Sequence, residues 1–246
     1  MISATGIYVI AVIFLAALIR STLGFGEALV AVPLLALRIP VAVAVPLAVL
    51  VSVVVAATVV VQDWRYIHFR SVGWLVATSL AGIPLGLWLL LKFEDHLAKM
   101  VLGLLIVGFA SVFLMAKSLV HLKRDHRGWM ACAGFISGVL GGAYGINGPP
   151  LVVYGALRQW SPQHFRATLQ GYFLPVSLTV LISDAALGLW KPAVTHYFLA
   201  CIPGLAVAMV IGRYLNGQIK GEGFYRCVYV GLIVSGGLLF LQGCFR

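Results

Sequence analysis

Long uncharged apolar runs dominate this chain. Residues 1–19, 39–61, 71–91, 100–116, 129–157, 192–212 and 227–245 contain no Asp, Glu, Lys or Arg, and residues 167–189 contain only Asp184. A helix needs about 20 apolar residues to cross a bilayer. The pattern predicts an all-α polytopic membrane protein with about 8–10 membrane segments. Little polar sequence remains outside the runs, so a soluble catalytic domain has nowhere to sit. The first run has no basic n-region and no small-x-small cleavage site, so it reads as part of the fold rather than as a signal peptide.

One run is interrupted. "GVLGGAYGINGPPL" (138–151) holds five glycines, Asn147 and the pair Pro149-Pro150. The arms on either side, 129–142 and 146–157, are about 18–21 Å long as helices. Neither comfortably crosses a core of about 30 Å, so two short arms meeting at a break are expected. The first-half arm, 1–19, is longer, and its sequence fits either a returning hairpin or a full span.

A related segment lies earlier. Shifting the chain by 117 residues places Ile19, Leu23, Gly24, Pro33 and Leu34 on Ile136, Leu140, Gly141, Pro150 and Leu151. Three apolar runs follow each glycine-rich segment. The chain therefore divides into two repeats, 1–119 and 128–246, joined by a basic linker at 120–127. Loop charge then discriminates between topologies. If each glycine-rich segment crosses once, Lys and Arg divide evenly between the two sides. With Arg20 set aside as intramembrane in both counts, if each segment returns to the side it entered from, eleven fall on one side and five on the other. The second assignment obeys the positive-inside rule. It makes the repeats inverted, with both termini outside a cell (inner) membrane and the linker in the cytoplasm. Inverted repeats are a common transporter plan.

Composition agrees with the membrane reading. The 246 residues are 62% hydrophobic and 10% charged, with a mean hydropathy of +1.05. The net charge of +10 comes from residues between the runs, so it reports topology rather than a nucleic-acid partner. Cys132, Cys201, Cys227 and Cys244 lie in apolar runs without CxxC spacing, and read as packing residues. Nucleotide-binding, zincin and nucleophile-elbow motifs are absent. No cofactor or metal is expected, and the chain does not read as an enzyme.

The candidate chemistry lies at the two breaks. A broken helix leaves free N–H groups at the start of its second arm, with the positive end of a helix dipole behind them. Glycine lets backbone approach a ligand closely. Together these make an anion site that needs no buried lysine or arginine. The residues expected to line it are Ser21, Thr22, Gly24 and Gly26 in the first half, and Ser137, Gly141, Gly142, Tyr144, Gly145, Asn147 and Gly148 in the second. Close helix packing is the competing explanation of the glycines. Glu27 is an acid within the first segment and a candidate for proton coupling, the alternatives being interfacial exposure or pairing with Arg20. Asp184 reads as a solvated helix end or a partner for Lys191. Arg166 and Gln170, one helical turn apart, form a candidate gate collar. His196 reads as interfacial, and Trp64, Trp74, Trp129, Trp160 and Trp190 as an aromatic belt.

The segments "STLGFGEALVAVPLL" (21–35) and "GFISGVLGGAYGINGPPLVVYGAL" (134–157) resemble the paired signature of the TauE/SafE family of sulfite and organosulfonate exporters, and "HFRATLQGYFL" (164–174) resembles a stretch after the second signature. The resemblance implies secondary transport of small anions such as sulfite, sulfoacetate or toluenesulfonate. One departure is Gly24-Phe25-Gly26-Glu27, where many members have more glycine, and the second turn is weighted more heavily for that reason. The expected function is secondary-active transport of a small anion, proton-linked, by alternating access between the repeats. A passive anion channel built on the same turns is the alternative. The expected partners are the anion, coupled protons and the lipid bilayer.

Overall fold

The computed structural model describes residues 4–63, 65, 67, 69–115, 127–157, 162–216 and 222–245. Among the described residues there are ten helices and no strands. The first half holds α1 (Ala4–Leu23), α2 (Glu27–Ala36), α3 (Val41–Asp63), α4 (Phe69–Lys92) and α5 (Asp95–Met115). The second holds α6 (Arg127–Tyr144), α7 (Pro149–Leu157), α8 (Pro162–Ala186), α9 (Pro192–Asn216) and α10 (Glu222–Cys244). Six of them, α1, α3, α4, α5, α8 and α9, are long and apolar enough to cross a bilayer. The chain is a multi-pass membrane protein.

Backbone chemistry fixes both breaks. Gly24 has φ 85° and Gly26 has φ 95°, a region that side chains with a Cβ avoid. Gly145 has φ 67°. Its N–H donates to Gly141 O at 2.8 Å, and that of Ile146 donates to Leu140 O at 3.2 Å. The Gly145 bond is the 5→1 contact of an αL cap, which ends α6 on a left-handed glycine. Pro149 and Pro150 then open α7, where a missing N–H costs least. The second arms differ from expectation. α6 runs through Gly141 and Gly142 to Tyr144, and α7 has only nine residues.

α2 doubles back along α1. The Tyr8 hydroxyl donates to Leu34 O at 2.6 Å, and the Arg38 guanidinium lies over the Tyr8 ring at 5.2 Å. The first glycine-rich segment is therefore a hairpin that returns to the end from which it entered. Gln242 Nε2 reaches Leu37 O at 3.4 Å, and Asp95 accepts from the Val41 N–H at 2.9 Å. The start of α1, the α2–α3 and α4–α5 links and the end of α10 thus share one face of the bundle. The start of α6 lies at the opposite face, so the two hairpins enter from opposite ends.

The main pairings of the long helices are matched when the halves are exchanged. α1 packs on α9 as α6 packs on α4, while α3 pairs with α8 and α5 with α10. The matched contacts give a register. A Cβ on Gly86 would lie 2.1 Å from Val139 O and 3.0 Å from Gly142 Cα, and one on Gly212 would lie 3.0 Å from Leu18 O and 2.4 Å from Ser21 Cβ. Leu18 thus corresponds to Val139, Ser21 to Gly142, and Gly24 to Gly145, with a separation of 121 residues. The shift of 117 read from the sequence is one helical turn out. A slip of four residues barely changes which residues share a helix face, so apolar patterning tolerates it.

Large apolar side chains cover the outer surface. Ile182, Val210, Leu104 and Val234 are each more than half exposed, as lipid-facing residues are. Trp74, Trp129 and Trp190 are exposed, while Trp64 and Trp160 lie outside the described residues. His196 is exposed. Cys132 and Cys244 are exposed free thiols, and Cys201 is buried and free. The basic linker at 120–127 falls almost wholly outside the described residues.

Candidate functional site

The two breaks meet at one cleft near the middle of the bundle. It is narrow, with a cavity volume of about 20 Å³. Arg20, Gly26 and Glu27 line it from the first hairpin, Asn147 and Gly148 from the second, and Ser52 and Phe173 from α3 and α8. Ser52 is the central residue of α3, which runs from Val41 to Asp63. The cleft therefore lies level with the middle of a helix long enough to span a bilayer.

Arg20 is its hub. The side chain is 3% exposed. Nη1 donates to Glu27 Oε2 at 2.6 Å and to Ser52 Oγ at 2.5 Å. Nη2 donates to Gln170 Oε1 at 2.8 Å, and the guanidinium lies 5.1 Å from the Phe173 ring centroid. Gln170 in turn donates from Nε2 to Gly24 O at 2.7 Å. The Gln170 amide thus ties α8 both to Arg20 and to the first turn. Arg20 Nε and Glu27 Oε1 are buried without a hydrogen-bond partner. Taking two charges out of water is costly, and their attraction repays it only when geometry is good. Ionisable groups kept at this depth mark function by default.

This corrects the expectation of an anion site without a buried cation. It also decides the alternatives for Glu27, which is 1% exposed and paired with Arg20. Arg20, Ser52, Phe173 and Ser177 were not anticipated as site residues. Ser177 Oγ lies 3.4 Å from Ser52 Oγ. The available signals were weak: one charge of each sign flanking the glycine turn, and a lone serine within a valine-rich run.

The other expected residues separate into two groups. Gly24, Gly26, Glu27, Asn147, Gly148 and Gln170 belong to the cleft or its immediate support. The rest pack against helices or back the second turn. Ser21 meets α9 at Gly212, and Gly142 meets α4 at Gly86. At Gly145 a Cβ would come within 2.9 Å of Val49 on α3. Thr22 Oγ1 donates to Leu18 O within its own helix at 2.8 Å. Gly141 backs the Asn147 side chain, with 3.2 Å between its would-be Cβ and that of Asn147. Ser137 donates to Asn147 O and so supports the second turn from behind. Tyr144 is buried outside the cleft lining. Close packing accounts for the α6 glycines along α4, because a Cβ on Gly138 would lie 2.2 Å from Ser79 O.

Gln170 stands in the centre rather than in a collar at the helix end, and the Arg166 side chain lies outside the described residues. Asp184 is fully buried, with no hydrogen-bond partner at either carboxylate oxygen. It is neither a solvated helix end nor paired with Lys191.

The arrangement can hold an anion. α2 starts at Glu27, so the N–H groups of Glu27, Ala28 and Leu29 have no partner within the helix. α7 starts on two prolines and offers fewer such donors, leaving Asn147 as the main polar group of the second turn. The weight given to the second turn therefore shifts to the first. Among the described residues no cluster of His, Cys, Asp and Glu could hold a metal ion.

A family model described as "Sulfite exporter TauE/SafE" matches residues 9–239. A protein of Cupriavidus necator, "Probable sulfite/organosulfonate exporter TauE", is 23% identical over 182 residues, covering 73% of this chain and 69% of that one. No solved structure matches. With a match running from the first hairpin almost to the end of α10, this chain belongs to the sulfite exporter TauE/SafE family.

Proposed function

We propose that this protein is a secondary-active transporter of a small oxyanion, with sulfite or an organosulfonate as substrate. One observation carries the reading: both glycine turns border a single mid-depth cleft that contains a guanidinium and the free N-terminus of α2. A guanidinium presents its donors in a planar fork that suits sulfur oxyanions as it suits carboxylate and phosphate. A helix N-terminus adds neutral donors and a favourable dipole. Family membership supplies the substrate class.

The two halves act as inverted repeats, 1–119 and 128–246, that rock against each other to expose the cleft alternately. The exchange relation of the packing supports this reading. Transport is proton-linked, with Glu27 as the titrating group. The protein lies in the inner membrane with both termini outside, which follows the distribution of Lys and Arg between the faces.

The test is a thermal-shift screen of the purified chain against sulfite, sulfate, thiosulfate, sulfonates and carboxylates, followed by flux in proteoliposomes. A ligand that binds the native state raises the melting temperature. Saturable flux with counterflow is expected, while large single-channel currents would support a channel instead. If no anion shifts the melt and Asn147→Ala leaves flux unchanged, the site is misassigned.

A further inference from the structure

We infer that the Glu27 carboxylate is an internal stand-in for the substrate: in the unloaded protein it occupies the Arg20 donors that the transported anion takes over. The inference rests on the anion-transport reading above and adds the binding residue and the order of exchange.

Three observations carry it. The first is geometric. Arg20 spends Nη1 on Glu27 and Ser52 and Nη2 on Gln170, and both members of the ion pair line the cleft. An oxyanion entering the cleft meets no other buried cation among the described residues. The second is the unfilled bonding capacity of Arg20 Nε and Glu27 Oε1. A pair kept only for stability would be expected to satisfy all its buried atoms. The third is the asymmetry of the halves. In the structural register Arg20 corresponds to Gly141 and Glu27 to Gly148. The matching positions of the second half carry neither charge, so the ion pair is particular to the first hairpin.

Charge conservation gives the sequence of events. With Glu27 ionised, Arg20 and Glu27 neutralise each other and the empty site is neutral. An incoming monoanion would add an unpaired negative charge at mid-membrane, which is costly. A proton from water on the open side binds the Glu27 carboxylate and breaks its ionic bond to Arg20. The anion oxygens then take the freed Nη1 donor. The loaded site is again neutral and carries one anion with one proton. On the far side the anion leaves, Glu27 releases its proton to water, and the ion pair re-forms. Gln170 and Ser52 hold the guanidinium in place throughout. Arg20 is the charged group that contacts Glu27, and α2 also packs on α1, α3, α5 and α10. The exchange is electroneutral, so flux follows the anion and pH gradients and not the membrane potential.

The test uses the full chain in proteoliposomes with two probes, sulfite and methanesulfonate. Methanesulfonate is the anion of a strong acid and keeps its charge across the pH range used. In wild type an imposed pH gradient is expected to drive accumulation, and a potassium diffusion potential is expected not to. Glu27→Gln is expected to bind with pH-independent affinity, to retain counterflow, and to lose pH-driven accumulation. Arg20→Gln is expected to weaken binding about 10- to 100-fold, as loss of hydrogen bonds to a charged group does. The double variant Arg20→Gln/Glu27→Gln leaves no lone buried charge, so it controls for folding. It is expected to melt normally and bind neither probe. Undiminished pH-driven accumulation by Glu27→Gln would overturn the exchange and leave anion transport standing. Failure of wild type to move either probe would overturn the transport reading itself.

Discussion

Arg20 and Gln170 lie 150 residues apart and meet at 2.8 Å, the guanidinium of α1 donating to the amide of α8. The other end of the amide holds Gly24 O at 2.7 Å. One side chain from the second half thus fixes both the cation and the turn of the first.

Removing it should loosen both. Gln170→Ala leaves Gly24 O and one guanidinium donor buried and unpaired, at a cost of about 1–3 kcal/mol. The melting temperature in detergent should fall and anion flux should drop with it. Gln170→Glu should behave differently. It keeps an acceptor for Arg20, loses the donor to Gly24, and adds a second negative charge beside Glu27. It should bind anions more weakly than Gln170→Ala. Equal affinities would show that the charge balance at Arg20 does not govern binding.

The positive-φ glycines should resist substitution even where space exists. Gly26 has φ 95°, and its would-be Cβ meets only Ile19 at 3.9 Å. Gly26→Ala should therefore cost backbone strain alone, about 1–2 kcal/mol. It should also move the start of α2, so flux should fall more than stability. A thermal melt beside a flux assay separates the two effects.

Packing glycines should fail for a different reason. A Cβ on Gly86 would lie 2.1 Å from Val139 O, and one on Gly138 2.2 Å from Ser79 O. Both contacts are to backbone, which cannot turn aside. Gly86→Ala and Gly138→Ala should each destabilise by about 1–3 kcal/mol or more. Gly108→Ala on α5 meets nothing within 4 Å and should be neutral or slightly stabilising. Parallel melts of the three variants check the ranking.

Topology can be read with a membrane-impermeant thiol reagent on a cysteine-free background. Cysteines at Arg38, Lys92 and Lys191 should label from one side of the membrane, and those at Arg65 and Gly128 from the other. The first group should label in intact cells if the termini are outside. Cysteines at Ala4 and Arg38 labelling from opposite sides would rule out the first hairpin, and those at Lys92 and Lys191 labelling from opposite sides would rule out the second.

Much of the architecture was legible in the residues. The apolar runs marked the spans, because length and the absence of charge suffice for that. The glycines and the Pro149-Pro150 pair marked the breaks, because few other residues tolerate those backbone positions. The return of each glycine segment to its own face was legible in loop charge, and the bond from Tyr8 to Leu34 agrees with it for the first hairpin. The register between the halves was not legible, since a helix slipped by four residues keeps its apolar face. Within the glycine-rich segments, sequence could not separate Gly148, at the cleft, from Gly142, against α4. Both roles ask only for a missing side chain.

The sequence by itself determined the solvent of this protein, a count of about 8–10 membrane segments and their order, the two glycine-rich regions where helices break and the asymmetry of its charge. These are local or additive properties, settled by what each segment can bury and what each backbone position can adopt. Only the tertiary structure decided that Arg20 is the centre of the cleft, that Glu27 is held by it, and that Asp184 is buried without a partner. Those facts depend on which surfaces of distant helices meet. The partner of a buried charge is a property of the packed bundle, not of the residues beside it in the chain.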